Sequence, residues 1–197
     1  MRALRERYER AVVVLGYAYL PKVASALRKR WVRLRNPRAE IRFGHDTYLG
    51  PGFSIHAPKG GSFLCGEHSS FRRRFRADLA GPDARIAIGV GCYFTYDVYF
   101  DCSHSITVGD RVGLAQANCL DDSAGPLTLA DDVQVHSKVT ITADVGERVI
   151  VGANASIVEP VPAFTVVAGV PAQILDYYGP PGQEPEGWQP RAERAAS

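Results

Sequence analysis

Five histidines, His45, His56, His68, His104 and His136, are the side chains in this chain best placed to move a proton near neutral pH. His104 lies in FDCSHS from Phe100; Asp101 shares that run, and Asp121 and Asp122 follow in LDDSAG from Leu120. An imidazole oriented by a carboxylate is a general base for a hydroxyl or an amine, worth roughly 10²–10⁴-fold in rate. Aspartates in turns are also ordinary turn formers. His136, in VHSKVT from Val135, is expected to face outward. His45, His56 and His68 show no ligand spacing, so corner or surface roles are expected for them. The run FRRRFR from Phe71 to Arg76 could hold phosphate or an anionic glycan through guanidinium forks. With Phe71 and Phe75 turned inward it also reads as a solvated corner. Cys65, Cys92, Cys102 and Cys119 lack CxxC or Cys/His spacing, which points to reduced structural thiols.

The elements that must position these groups are set by a repeat. Six-residue units open on a branched apolar residue: LGPGFS from Leu49, IGVGCY from Ile88, VGDRVG from Val108, LAQANC from Leu114, LADDVQ from Leu129 and VGERVI from Val145. Neither a strand period of two nor a helical period of 3.6 gives that register. A solenoid does, with one short strand and one turn per unit. Taking Phe43, Leu64, Ile88, Val108 and Leu129 as coil starts gives steps of 21, 24, 20 and 21 residues. Each is three hexapeptides plus a corner insertion, so about five triangular coils fit between residues 41 and 160. The longest step suggests that FRRRFR forms a protruding corner. His104 occupies a slot that normally points inward, and Leu120 opens the equivalent unit one coil later. His104 is therefore expected beneath Ala124.

The ends differ from this middle. Residues 1–40 read as a basic helical segment, with eleven Lys or Arg against three Glu, broken near Pro21. A solenoid needs such a cap over its open end. The same segment also reads as an interfacial helix, with Trp31 and Tyr17 at headgroup depth and arginines on anionic lipid. Residues 41–175 form the solenoid domain, and residues 176–197, rich in Pro, Gly and Glu, read as a poorly ordered tail. A net charge of +2 gives no global argument for nucleic acid as a partner. The apolar run Ala11–Leu20 is too short to span a bilayer, and without a cleavable signal a cytoplasmic protein is expected.

The segment Val151–Gln173, VGANASIVEPVPAFTVVAGVPAQ, resembles the last coil of the hexapeptide-repeat acyltransferases in both residue type and spacing. The resemblance implies a left-handed parallel β-helix, an all-β solenoid, and a homotrimer with acetyl-CoA in a groove between subunits. Such a groove uses narrow walls and backbone groups, with one or two cations for the phosphates. Ala153 and Gly169 would belong to the walls, and Lys138 with Arg148 to the phosphates. Gln173 stands where the family often has Lys, which removes one phosphate contact. Sugar acetyltransferases of this class carry the base histidine in a coil's third hexapeptide, here near Ala124 or Gly125. That position has no histidine, and His104 from the coil below, with Asp122, is the expected substitute; His136 is the second candidate.

The leading expectation is an acyl-CoA-dependent transferase, acting on a hydroxyl or amine of a sugar or glycan intermediate in polysaccharide biosynthesis. A non-catalytic scaffold or binding module is the alternative, suggested by the short loop and the Asp121-Asp122 pair. A metal-dependent enzyme, as in the related γ-class carbonic anhydrases, needs a third histidine beside His104 and His136, so no metal is expected.

Overall fold

The computed structural model describes residues 20–186 and Trp188. Over these residues the chain forms one helix, α1 (Leu20–Arg35), and nineteen short strands. The first coil is β1 (Ala39–Phe43), β2 (Tyr48–Leu49) and β3 (Ser54–His56). The second is β4 (Gly61–Cys65), β5 (Ser70–Arg73) and β6 (Arg76–Leu79). The third is β7 (Arg85–Ile88), β8 (Tyr93–Tyr96) and β9 (Tyr99–Cys102). The fourth is β10 (Ser105–Val108), β11 (Gly113–Leu114) and β12 (Cys119–Asp121), and the fifth β13 (Leu127–Leu129), β14 (Gln134–Val135) and β15 (Thr140–Ile141). In the sixth, the opening strand shrinks to a bridge between Val145 and Leu129, followed by β16 (Ile150–Val151) and β17 (Ser156–Ile157). Last come β18 (Thr165–Gly169) and β19 (Ala172–Tyr177).

Each strand pairs in parallel with its equivalent one coil away, which gives three faces. The first is β1-β4-β7-β10-β13, the second runs from β2 to β18 and β19, and the third from β3 to β17. This is the parallel β-helix that the hexapeptide register predicts, with the left hand that the family resemblance implies. Its strands are too short to carry the twist on which the right-handed crossover rule rests. At the far end Gly169, with φ at 106°, makes a turn. The chain then doubles back antiparallel as β19.

The ladder corrects one register. Phe43, Cys65, Ile88, Val108, Leu129, Val145 and Val161 are equivalent, with steps of 22, 23, 20, 21, 16 and 16 residues. Cys65 takes the place assigned to Leu64; it is buried, and Leu64 is 37% exposed. A slip of one residue exchanges the two faces of a strand. Both candidates are apolar, so hydropathy alone could not choose. The wide early coils hold the large side chains: Phe63, Phe71, Phe75, Phe94 and Phe100 are fully buried, with neighbouring ring centroids 4.6–6.3 Å apart. The 16-residue coils are filled by Val145, Val149, Val151 and Ile157.

The corners are as regular as the strands. Between the first and second faces Asp46, His68, Gly91, Arg111, Asp132, Arg148 and Phe164 stack in one column. Between the second and third faces Gly52, Arg74, Asp97, Ala117, Lys138 and Asn154 form another. All have φ between 51° and 77°. Left-handed backbone is uncommon for residues other than glycine. Here a ladder bond holds it in place: Arg111 N–H donates to the Val90 carbonyl at 2.8 Å, and Lys138 N–H to that of Gln116 at 2.9 Å.

α1 covers the open end. Pro21 sits in its first turn, where a missing N–H removes no helical bond. Ser25, Val32 and Asn36 are buried beneath it. The outer edge of the first coil would otherwise present unpaired backbone groups. Leu49 donates its N–H to Ser25 Oγ at 2.9 Å and accepts from Arg28 Nη1 at 2.9 Å. Asn36 Nδ2 donates to the Ile55 carbonyl at 3.0 Å, and Asn36 Oδ1 accepts from Ala57 N–H at 2.9 Å. Arg33 Nε reaches the Ile41 carbonyl at 3.2 Å. All three faces are thereby terminated by one helix. The residues expected to extend this helix toward the N-terminus, Tyr17 among them, lie outside the described residues.

Candidate active site

The corner joining the third face to the first carries His104. The pairing of Leu120 with Phe100 and of Asp121 with Asp101 is the expected one. His104 nonetheless meets Asp122, not Ala124: the Asp122 carboxylate and carbonyl reach its backbone N–H and its ring. The side chain is also exposed, not inward; Cys102 and Asp122 fill the interior of this corner.

Asp122 does two separate things here. Its carboxylate, 1% exposed, accepts the backbone N–H groups of Ser103 and His104, the latter at 2.9 Å. That carboxylate is committed to the turn and does not orient the imidazole. Its backbone carbonyl accepts from Gly125 N–H at 2.9 Å and lies 3.0 Å from His104 Nδ1. A carbonyl oxygen can only accept, so Nδ1 carries the proton in this contact. In the neutral ring Nε2 then holds the lone pair, on the exposed side. The arrangement is that of an oriented general base. Burial, reinforced by the Asp122 carboxylate, pushes the Cys102 thiol up to about 12, so it stays protonated and is no nucleophile.

His136 stands elsewhere, on the second face directly after β14 and exposed. With Tyr93, Thr95 and Gln134 it borders a shallow trough whose floor is Gly113 and Ala115. Within one protomer His104 and His136 belong to different corners. Lys138 and Arg148, expected to share the phosphates, are likewise separated, one in each corner column at the two edges of the second face. The Arg148 guanidinium packs 5.7 Å from the Phe164 ring centroid and 3.9 Å from Asp132. Lys138 and Ala153 occupy the same corner in neighbouring coils, near the end of β18 where Gly169 turns, so these three share one edge of the trough's face.

The arginine run is an ordinary corner. Phe71 and Phe75 are buried, and Arg72, Arg74 and Arg76 are held by Tyr93, Asp97 and Asp78. The extra residues of its coil lie instead at the next corner, Ala80–Ala84. His45 and His68 lie at an exposed corner, as expected, but the reading that they show no ligand spacing is corrected. One coil separates them, their rings are 6.1 Å apart, and their Nδ1 atoms are 3.5 and 3.9 Å from Asp46 Oδ2. The His68 N–H bonded to the His45 carbonyl brings them together. A coil step of 22 residues, once known, would have set His68 over Asp46 and so beside His45. All three side chains are well exposed, and among the described residues no further His, Cys, Asp or Glu joins the group. A cleft of about 530 Å³ between α1 and the third face, lined by Trp31, Arg35, His56 and Arg76, lies well away from His104.

No family model and no curated protein sequence matches the chain. Among solved structures it is similar to a hexapeptide-repeat containing acetyltransferase of Vibrio cholerae, at 22% identity and a TM-score of 0.54. The match covers 89% of this chain and 91% of that one. It is also similar to AntD, an N-acyltransferase of Bacillus cereus whose structure holds dTDP-4-amino-4,6-dideoxyglucose and coenzyme A. There the identity is 16% and the TM-score 0.59, over 75% of this chain and 89% of AntD. This chain shares their fold. At these identities the likeness is one of architecture, and the assignment of chemistry rests on the His104 corner.

Proposed function

We propose that this protein is an acyl-CoA-dependent acyltransferase, with acetyl-CoA as donor and a sugar or glycan hydroxyl or amine as acceptor. The observation that carries the reading is the Nδ1–H bond from His104 to the Asp122 carbonyl, which leaves Nε2 as an exposed base. Two solved acyltransferases of the same architecture support it, one of them with coenzyme A and an amino sugar nucleotide bound. In the reaction, Nε2 takes the proton from the acceptor as its oxygen or nitrogen attacks the thioester carbonyl carbon. The tetrahedral intermediate collapses by breaking the carbon–sulfur bond, and the imidazolium returns its proton to the departing thiolate. The products are the acylated acceptor and free coenzyme A.

A homotrimer fits this reading, because the His104 corner of one protomer is open and needs a second wall to exclude water. The Gly113–Ala115 trough, with Lys138, Ala153 and Gly169 along one edge, is the wall we assign to the pantetheine arm. We place the protein in the cytoplasm, where acetyl-CoA is made, and its product in polysaccharide assembly.

Calorimetric titration with acetyl-CoA, followed by thiol release in the presence of amino- and hydroxy-sugar nucleotides, tests the reading. Binding together with acceptor-dependent thiol release supports it. Absence of acyl-CoA binding by the folded protein would end it. Sedimentation equilibrium tests the trimer separately.

A further inference from the structure

Helix α1 is built inside out. The side turned to the solenoid carries Ser25, Arg28 and one apolar residue, Val32, with Asn36 just after the helix, because the edge of the first coil demands hydrogen-bond partners. Four apolar residues are on the other side: Val23, Leu27, Trp31 and Leu34 are 55%, 64%, 60% and 65% exposed. Spacings of four, four and three align them in one stripe, the kind that normally faces a core. Exposed Lys22, Arg30 and Arg35 flank it, and the Arg35 guanidinium lies 5.7 Å from the Trp31 ring centroid. The helix carries six Lys or Arg and no Asp or Glu.

That charge decides between the possible occupants. Two copies of α1 meeting face to face would oppose cation to cation, which an isologous contact cannot avoid. Residues 1–19 hold four Arg against two Glu, so they offer no charge complement either. A surface that is apolar a few ångströms down and densely anionic on top matches both features. Tryptophan and snorkelling basic side chains are the usual residues at that boundary.

We propose that the outer face of α1 docks this protein on an anionic lipid bilayer. Val23, Leu27, Trp31 and Leu34 enter the boundary between headgroups and acyl chains, and Lys22, Arg30 and Arg35 meet lipid phosphates. α1 lies across the end of the solenoid, so docking leaves the His104 corner and all three faces clear of the membrane. The inference is independent of the catalytic reading.

The test uses the full chain carrying Trp188→Phe, which leaves Trp31 as its one tryptophan. It is mixed with phosphatidylcholine vesicles made with or without phosphatidylglycerol. The expected result is co-sedimentation with the anionic vesicles, weakened by salt. Trp31 emission should shift to the blue and lose access to an aqueous quencher only when those vesicles are present. The double substitution Leu27→Glu/Leu34→Glu should weaken binding by at least about tenfold while the helical signal and thermal midpoint hold, since both residues are exposed. Three results would overturn the proposal: no binding to anionic vesicles, equal binding by the double variant, or a Trp31 already shielded without lipid.

Discussion

His104 and Asp122 are bonded in both directions: the His104 backbone N–H lies 2.9 Å from the Asp122 carboxylate, and the His104 ring Nδ1 lies 3.0 Å from the Asp122 carbonyl oxygen. One contact fixes where the histidine's backbone turns, and the other fixes its tautomer and ring plane. The aspartate thus acts as a positioning residue through its fold, not through a charge on the imidazole.

Substitutions should separate those two roles. His104→Ala removes the base alone, so turnover should fall roughly 10²–10⁴-fold with acetyl-CoA affinity and unfolding midpoint unchanged. Asp122→Ala strips two N–H groups of a buried acceptor, at about 1–3 kcal/mol each, so stability and turnover should fall together. Urea unfolding run beside the thiol-release assay reads both. Full activity in His104→Ala would remove His104 from the mechanism, and a destabilised Asp122→Ala that keeps full activity would mean the carboxylate's turn does not position it.

How legible this was depended on the kind of constraint. Buried apolar openers restrict residue type, so the hexapeptides from Ile88 onward were readable, as was the ending at Val151–Gln173. Corner insertions carry no such signature. The contact of His104 with Asp122 in place of Ala124 is set inside such a corner, and the choice between Leu64 and Cys65 turned on a one-residue slip. The orientation of α1 was illegible for a different reason. Apolar periodicity is ordinarily read as core-facing, and only the unpaired backbone of Leu49, Ile55 and Ala57 explains why Ser25 and Asn36 took that side.

Asn36 should therefore matter more than its polarity suggests. It donates to the Val32 and Ile55 carbonyls at 2.9 and 3.0 Å and accepts from Ala57 N–H. Asn36→Ala leaves buried groups unpaired and should cost about 2–4 kcal/mol. Asn36→Asp should also destabilise, because a carboxylate cannot donate to two carbonyls. Denaturant midpoints of both variants check this. Near-wild-type stability would mean that α1 caps by contact alone.

The aromatic column predicts where the prism is least tolerant. Phe75 packs against Phe53, Phe71, Phe94 and Phe100 at 4.6–5.5 Å between centroids. Phe75→Ala should cost about 3–5 kcal/mol, whereas Ile157→Val in the narrow last coil should cost about 0.5–1.5 kcal/mol. Equal losses at the two sites, measured by urea unfolding, would show that the wide coils collapse around the missing ring.

Acid should act through Asp78. Burial opposes ionising this carboxyl, but the Arg76 guanidinium and the Tyr99 hydroxyl, 3.0 Å away, outweigh it and hold the group below the usual carboxylate range. A native pKa below the unfolded one, about 3.9, contributes stability that is fully present above that pH. The contribution is lost as pH falls through the native value. Asp78→Asn should thus be less stable than the parent at neutral pH, and the gap should close below about pH 4. On the alkaline side burial, and then Asp78, raise the Tyr99 phenol. Its contribution is present below the unfolded pKa of about 10 and declines as pH rises through the higher native value. Tyr99→Phe should flatten that decline. Urea midpoints of the three proteins from acid to alkali measure both limbs, and a gap between Asp78→Asn and its parent that persists in acid would mean the carboxylate is not what Arg76 and Tyr99 hold.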